Sequence, residues 1–300
     1  MPTYTTTVNS QFPMHLLAES GGTKTQWYLY DRDGLRAAHR TAGMNPNVAS
    51  VQDLEQQQRI DWGDALPDGQ GLNVHFYGAG LGAQAAEQSL HGVLERLFPG
   101  ACLRLESDML AAARAASGDQ PGIICILGTG SNCCYWDGNA IIGNLGSHGY
   151  LFNDEGSGAD LGRTILSALL SGEVGHDIEH LFRDWSGGKQ LLDIRSEIYQ
   201  APKVNVALAE YSRFLAAHLD NPGLHYMVIG RFMAFFTRTV LRIPAHKTTP
   251  IHFVGSVAEV YQVQLREAMG LLQLAPASIL AAPGEALLSY HIGLLHKPTE

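Results

Sequence analysis

The sequence predicts an α/β protein with mixed sheets, built as two lobes. Three observations carry this. Apolar strand-like runs alternate with helix-length segments along most of the chain. A strand, a Gly/Thr-rich turn and a returning strand open the chain at 14–30, and the same order starts again at 123. Strands that return directly are hairpins, which a purely parallel sheet does not contain. The restart is architectural, because the two halves do not repeat in sequence.

The elements follow in order. Residues 14–18, MHLLA, read as a buried strand. Residues 27–30 and 35–41 read as a hairpin around Asp31-Arg32-Asp33-Gly34, a turn-forming cluster. Residues 50–61 suit a helix capped by Ser50. After the loop 67–71 come a strand at 74–77, Gly78-Ala79-Gly80, and a helix near 83–97. A strand at 102–106 runs into Glu106-Ser107-Asp108, and a Met/Leu/Ala helix ends near Gly118. The cluster Ser117–Gly122 is the expected boundary. This gives a tail over 1–13, a first lobe over 14–121 and a second over 122–300, with the final helix free to pack back on the first. The second lobe opens with a strand at 123–127, the turn 128–132 and a second strand reaching Asp137-Gly138-Asn139. A helix at 159–170, a long helical stretch over 176–243, a strand at 251–254 and a helix near 258–269 complete it.

Bulk properties narrow the function. With 300 residues, 45% of them hydrophobic, the chain can bury roughly 75% of its extended surface. The 20 basic against 29 acidic residues argue against a nucleic-acid binder, which needs a basic face. No run is long enough to cross a membrane, and the opening MPTYTTTVNSQF lacks the basic and apolar regions of a signal peptide. Cys102 and Cys125 lie in apolar runs and read as buried thiols. Cys133 and Cys134 would point to opposite faces of a strand. No zinc or CxxC spacing is present, and a reducing, cytoplasmic setting is the expectation.

The chemistry concentrates in glycine turns. Gly21-Gly22-Thr23-Lys24-Thr25 and Gly128-Thr129-Gly130-Ser131-Asn132 both place backbone N–H groups and short hydroxyls at a strand end, the composition of a phosphate nest. One such turn is weak evidence, whereas one at the head of each lobe is stronger. Tyr77-Gly78-Ala79-Gly80-Leu81-Gly82-Ala83 matches the GxGxxA dinucleotide fingerprint but follows the wrong strand of its lobe. A P-loop is excluded, since no glycine stands directly before Lys24. Lys24 reads either as a phosphate-facing cation or as a solvent-facing turn residue. Asp108 closes a strand, and from the residues alone it reads as either a catalytic carboxylate or a helix N-cap.

Taken together, AESGGTKTQW, GMNPN, FYGAG, LESDML, ILGTGSNCCYWDG, GYLFNDEGSGADLG and HFVGSVAE resemble the sugar-kinase/actin/heat-shock ATPase superfamily. The resemblance runs from about residue 14 to 295 and is closest to the branch of N-acetylglucosamine kinases and BadF-type ATPases. It implies a two-lobed, duplicated actin-like (ribonuclease H-like) fold with an interlobe cleft. It also implies an ATP- and Mg2+-dependent amino-sugar kinase, with N-acetylglucosamine the first choice of acceptor. N-acetylmuramic acid and glucosamine are alternative acceptors, and a non-catalytic sugar sensor is the reading from a different class.

By the same resemblance Gly21, Gly22, Thr23, Lys24 and Thr25 touch the terminal phosphates. Gly128, Thr129, Gly130 and Ser131 form the second phosphate loop, and Gly255 and Ser256 lie against the nucleoside. Glu19 stands where the family has Asp and holds Mg2+. Asp108 is the general base. Asn45, Thr129, His148, Gly149 and Asp154 join Asp108 at the sugar. His148 replaces a frequent Trp, and Asn153 replaces the leading Gly of GDEGSG, where its tolerance of a left-handed backbone preserves the turn. The implied partner is a small sugar, and the implied assembly a homodimer. The iron–sulfur activators of the same family need converging thiolates, which Cys133-Cys134 do not offer.

Overall fold

The computed structural model describes residues 14–21, 24–46, 49–81, 84–146 and 148–297. The expected tail over 1–13, Gly22 and Thr23 lie outside the described residues. Contacts divide the chain into two compact units, one reaching Ala115 and resuming at Pro283, the other spanning Ala116–Ala282.

The first unit holds β1 (Met14–Ser20), β2 (Lys24–Asp31), β3 (Gly34–Ala42), α1 (Val51–Trp62), β4 (Leu72–Gly78), α2 (Gln84–Leu97), β5 (Cys102–Ser107) and α3 (Asp108–Ser117). The sheet order is β3-β2-β1-β4-β5. The hairpin strands pair antiparallel, while β1, β4 and β5 run parallel. Alternation along β1 sorts the faces. Leu16 and Ala18 join Trp27, Val74 and Phe76 under α1 and α2. Leu17 packs with Tyr30, Tyr77 and Ala111 on the other face. Ser50 caps α1 by accepting from the Asp53 amide, as expected. Cys102 is exposed rather than buried, because β5 is the sheet's edge strand.

The second unit holds β6 (Gly122–Leu127), β7 (Ser131–Trp136), β8 (Ile141–Asn144), α4 (Gly158–Leu170), α5 (His176–Trp185), α6 (Leu191–Gln200), α7 (Val204–Glu210), α8 (Ser212–Ala217), α9 (Pro222–Arg238), β9 (Ile251–Val254), α10 (Ser256–Val260), α11 (Gln262–Leu271) and β10 (Pro276–Leu280). Its sheet order, β8-β7-β6-β9-β10, repeats the first sheet strand for strand. The pairings repeat too, with β7 and β8 antiparallel and β9 and β10 parallel to β6. The long helical stretch resolves into five helices. Left-handed Gly187 and Gly188 end α5, Pro202 follows α6, and Pro222 opens α9 with Asn221 as its cap. The helix expected near 258–269 breaks at Tyr261 into α10 and α11.

The final helix, α12 (Gly284–His296), belongs to the first unit. It packs against β1 and β2, with Leu287 and Leu288 in the core beside Leu17 and Tyr77. Among the described residues no helix is long and apolar enough to cross a membrane.

Candidate active site

Both sheets bring the sequence-predicted residues to the carboxyl ends of their parallel strands, where open α/β sheets bind ligands. In the first unit, Ser20, Gly78 and Ser107 lie side by side in the register of β1, β4 and β5. Glu19 is next to the end of β1, and Asp108 follows β5 directly. In the second unit, Ile126, Val254 and Leu280 share a register. Gly128 and Gly255 extend from two of those strands.

Glu19 and Asp108, the carboxylates of the first unit's strand ends, are half-buried. Burial pushes Asp108 up to about 6, against the pull of the backbone amides of Met109 and of its own residue. The N-terminus of its helix is shared, with Ser107 Oγ accepting from the Leu110 amide at 3.2 Å and the Asp108 carboxyl meeting the Met109 amide and its own. Burial also raises Glu19. The exposed Lys24 pulls it down, and the charge of Asp108 adds to the rise. The two acids therefore lie near enough to feel each other, with Lys24 as the nearby cation.

The first turn is braced from behind. Thr25 Oγ1 donates to the Ala42 carbonyl at 3.0 Å. Its remaining contact, with Ser20 Oγ at 2.8 Å, therefore has Ser20 as donor. Ser20 Oγ in turn accepts from the Met44 amide at 2.9 Å. This relay ties the β1–β2 turn to the segment carrying Asn45, which is half-buried. The Thr25 hydroxyl faces inward, so its residue fixes the turn rather than offering an oxygen outward.

The second turn is locked to the acidic run. The Gly158 and Ala159 amides at the start of α4 donate to the Gly128 and Thr129 carbonyls at 2.8 and 3.1 Å. Ser131 Oγ donates to the Glu155 carbonyl at 2.9 Å. A Cβ on Gly130 would stand 2.9 Å from Asp154 Oδ2, so glycine lets that carboxylate press against the turn. Thr129 stays exposed.

Asp154 carries the unusual backbone of this run, with φ of 73°. The left-handed residue is thus Asp154 and not Asn153. Asn153 instead receives the His148 amide on Oδ1 at 3.0 Å and closes the loop with its own amide on the Gly149 carbonyl. Positive φ is costly for a residue with Cβ and clusters at functional sites. Burial raises Asp154 to about 6; the Ser131 amide opposes this, Glu155 and Asp160 add to it, and the His148 ring pulls it back. His148, Gly149 and Asp154 therefore share one neighbourhood, with His148 exposed.

Sequence reasoning missed the group that holds this run. Asp160, on α4, is buried. It accepts from Arg231 Nε and Nη2 at 2.7 and 3.0 Å, from Arg163 Nη2 at 2.8 Å and from the Gly156 amide at 2.9 Å. Arg238 pairs with the neighbouring Glu155. At the third strand end, Gly255 has φ of 126°, and any Cβ there would collide with the Leu127 carbonyl. Ser256 is exposed at the start of α10.

No family model and no curated protein matches the chain. Solved structures do. A candidate N-acetylglucosamine kinase from Porphyromonas gingivalis is 35% identical, with a TM-score of 0.85, over 93% of this chain and 99% of that one. The chain belongs to the sugar-kinase/actin/heat-shock ATPase superfamily. Two more distant structures share the superfamily fold. A candidate N-acetylglucosamine kinase from Chromobacterium violaceum is 18% identical with a TM-score of 0.74, over 93% and 98% of the two chains. A ROK family glucokinase from Streptomyces griseus, solved with glucose and AMPPNP, is 16% identical with a TM-score of 0.51, over 94% and 98%. The duplicated sheet order described above is the superfamily's two-lobed α/β architecture.

Proposed function

We propose that the chain is an ATP-dependent amino-sugar kinase that prefers N-acetylglucosamine. The observation that carries this reading is Asp108. It is a strand-end carboxyl, raised to about 6 by burial, and Ser107 beside it takes the Leu110 amide of the same helix. A base with a pKa just below neutral is ionised at working pH and still accepts a proton readily. The 35% identity to a candidate N-acetylglucosamine kinase supports the choice of sugar.

In this reading Asp108 takes the proton of the attacking sugar hydroxyl. The sugar oxygen bonds to the γ-phosphorus, the bond to the β–γ bridging oxygen breaks, and ADP leaves. The turns Gly21–Thr25 and Gly128–Ser131 meet the charge on the phosphate oxygens through amides other than those of Gly21, Gly128 and Ser131, which donate within the fold. Gly255 and Ser256 lie against the nucleoside, and Asn45, Thr129, His148, Gly149 and Asp154 hold the sugar. Glu19 and Asp108 are hard oxygen donors whose mutual repulsion a cation would relieve, which fits Mg2+. When bound, Mg2+ would be held through Glu19 and would offset phosphate charge.

The test is sugar-dependent ADP release with N-acetylglucosamine, N-acetylmuramic acid, glucosamine and glucose. A site with polar groups placed for an amide leaves them unpaired with glucose. N-acetylglucosamine should therefore exceed glucose in kcat/KM by at least about tenfold. Release that no sugar stimulates would overturn the kinase reading, and equal kcat/KM for the two sugars would overturn the preference.

A further inference from the structure

The opposite end of the first sheet holds a cavity that the kinase reading does not use. It measures about 230 Å³ and is lined by His15, Tyr30, Asn73, His75, Cys102 and Arg104 from the sheet, with His291, Leu294 and Leu295 from α12. Register explains the grouping. Tyr30, His15, Asn73 and Cys102 form one row across β2, β1, β4 and β5, and Leu17, His75 and Arg104 belong to the next row but one along the strands. Glu19 is on the same face as His15, four residues further on, which at about 3.3 Å per residue is roughly 13 Å away. The cavity is thus at the amino ends of the parallel strands, remote from Asp108.

Its wall is rich in nitrogen donors and poor in acid. His15 and His75 stack with ring centres 5.8 Å apart, and His75 and His291 approach to 4.7 Å. Tyr77 Oη accepts from Arg114 and shares a hydrogen bond of 2.8 Å with His291 Nε2. His15 is 8% exposed, and its Nδ1 is buried without a hydrogen-bond partner. The charged groups facing the cluster are Arg104 from β5 and Arg114 from α3, with Asp31 from β2 and Glu106 from β5 as the acids. Tyr30, Tyr77 and Tyr290 add phenols from β2, β4 and α12. Asp31 is already committed to Arg36 at 2.6 Å. Among the described residues no three His, Cys, Asp or Glu side chains are placed to hold a metal ion.

We propose that this cavity binds a small anion, its carboxylate or phosphate group held by Asn73, Arg104 and the imidazole edges of His15 and His75, and any apolar remainder resting on Leu294 and Leu295. Burial, helped by the neighbouring rings and arginines, keeps His75 and His291 low, at about 4 and about 3. An anion among them would raise both. Binding then takes up protons, and affinity rises as pH falls, by up to about tenfold per pH unit for each proton taken up.

The experiment uses the full chain, with inorganic phosphate and butyrate as separate probes. Calorimetry gives affinity near pH 6 and near pH 8, and imidazole NMR signals report the location. The expected result is binding of at least one probe, with movement of the His15, His75 and His291 signals and tighter binding at the lower pH. Phosphate alone, butyrate alone, or both would then identify the source of the anionic group. Arg104→Gln, at an exposed edge-strand position, should weaken binding about tenfold or more. His15→Gln should do the same, and Arg104→Gln serves alone if that variant fails to fold. Unmoved histidine signals at tens of millimolar of both probes would overturn the proposal. So would an affinity unchanged in Arg104→Gln.

Discussion

Asp108 in the first unit is half-buried and Asp160 in the second is buried, and the molecule treats them in opposite ways. Asp160 is surrounded by donors, with three guanidinium N–H groups from two arginines and one backbone amide. Asp108 has no arginine among the influences on its pKa. Two amides and burial set it, and burial wins. The sheets around them have the same strand order, so fold alone does not explain the difference. A carboxylate that holds a backbone is best fully paired. One that must accept a proton is better left short of partners, since each donor would lower its basicity. Asp154 lies between these cases, buried against Ser131 on a strained backbone.

Substitutions sharpen that contrast. The largest effect is expected from Asp108→Asn, which keeps size and removes the proposed base. It should lower kcat for sugar-dependent ADP release by roughly 10²–10⁴-fold. The same change should not destabilise the fold. Because the folded pKa of Asp108 is raised, the native state binds its proton more tightly than the unfolded chain. Its ionisation therefore costs stability as pH rises from about 4 through about 6, and that cost persists above. Near pH 8 the Asn variant should melt at or above the wild-type temperature. A clear fall in Tm would mean that Asp108 is structural.

Asp160→Ala should do the reverse. It leaves two arginines and the Gly156 amide without their shared acceptor, and breaking a buried pair costs about 3–5 kcal/mol. Denaturant melts should show that loss, and a loss under about 1 kcal/mol would mean the pair is too solvated to matter. The smallest effect concerns the Asp154 backbone. Glycine accepts positive φ and alanine does not, so Asp154→Gly should be more stable than Asp154→Ala by roughly 1–2 kcal/mol. Equal stabilities would show that the left-handed backbone carries no strain.

Much of this was legible in the sequence where the signal is local. The 31–34 turn, the Ser50 cap and the two glycine turns rest on residues next to one another. Strand order was not legible, although the hairpins implied mixed pairing. The strands Ile141–Asn144 and Pro276–Leu280 were not anticipated, because they are short edge strands with little burial to pattern them. The 176–243 stretch looked continuous because amphipathic helices follow one another at close spacing. Its breaks lie at Gly187-Gly188, Pro202 and Pro222. The motifs singled out Asp108 and Asp154 and passed over Asp160. Its main partner, Arg231, is 71 residues away. The Tyr77–His291 bond spans 214 residues, which no local pattern encodes. The exposed Cys102 was misread because an apolar run does not reveal that its strand forms an edge.

The most direct measurement is the pH dependence of kcat/KM for N-acetylglucosamine at saturating ATP–Mg2+, from about pH 4.5 to 8.5. A single essential base raised to about 6 should give a plateau above neutrality and a tenfold fall per pH unit below about 6. A profile that stays flat down to pH 5, or that breaks near the ordinary aspartate value of about 4, would contradict the assignment of Asp108 as the base.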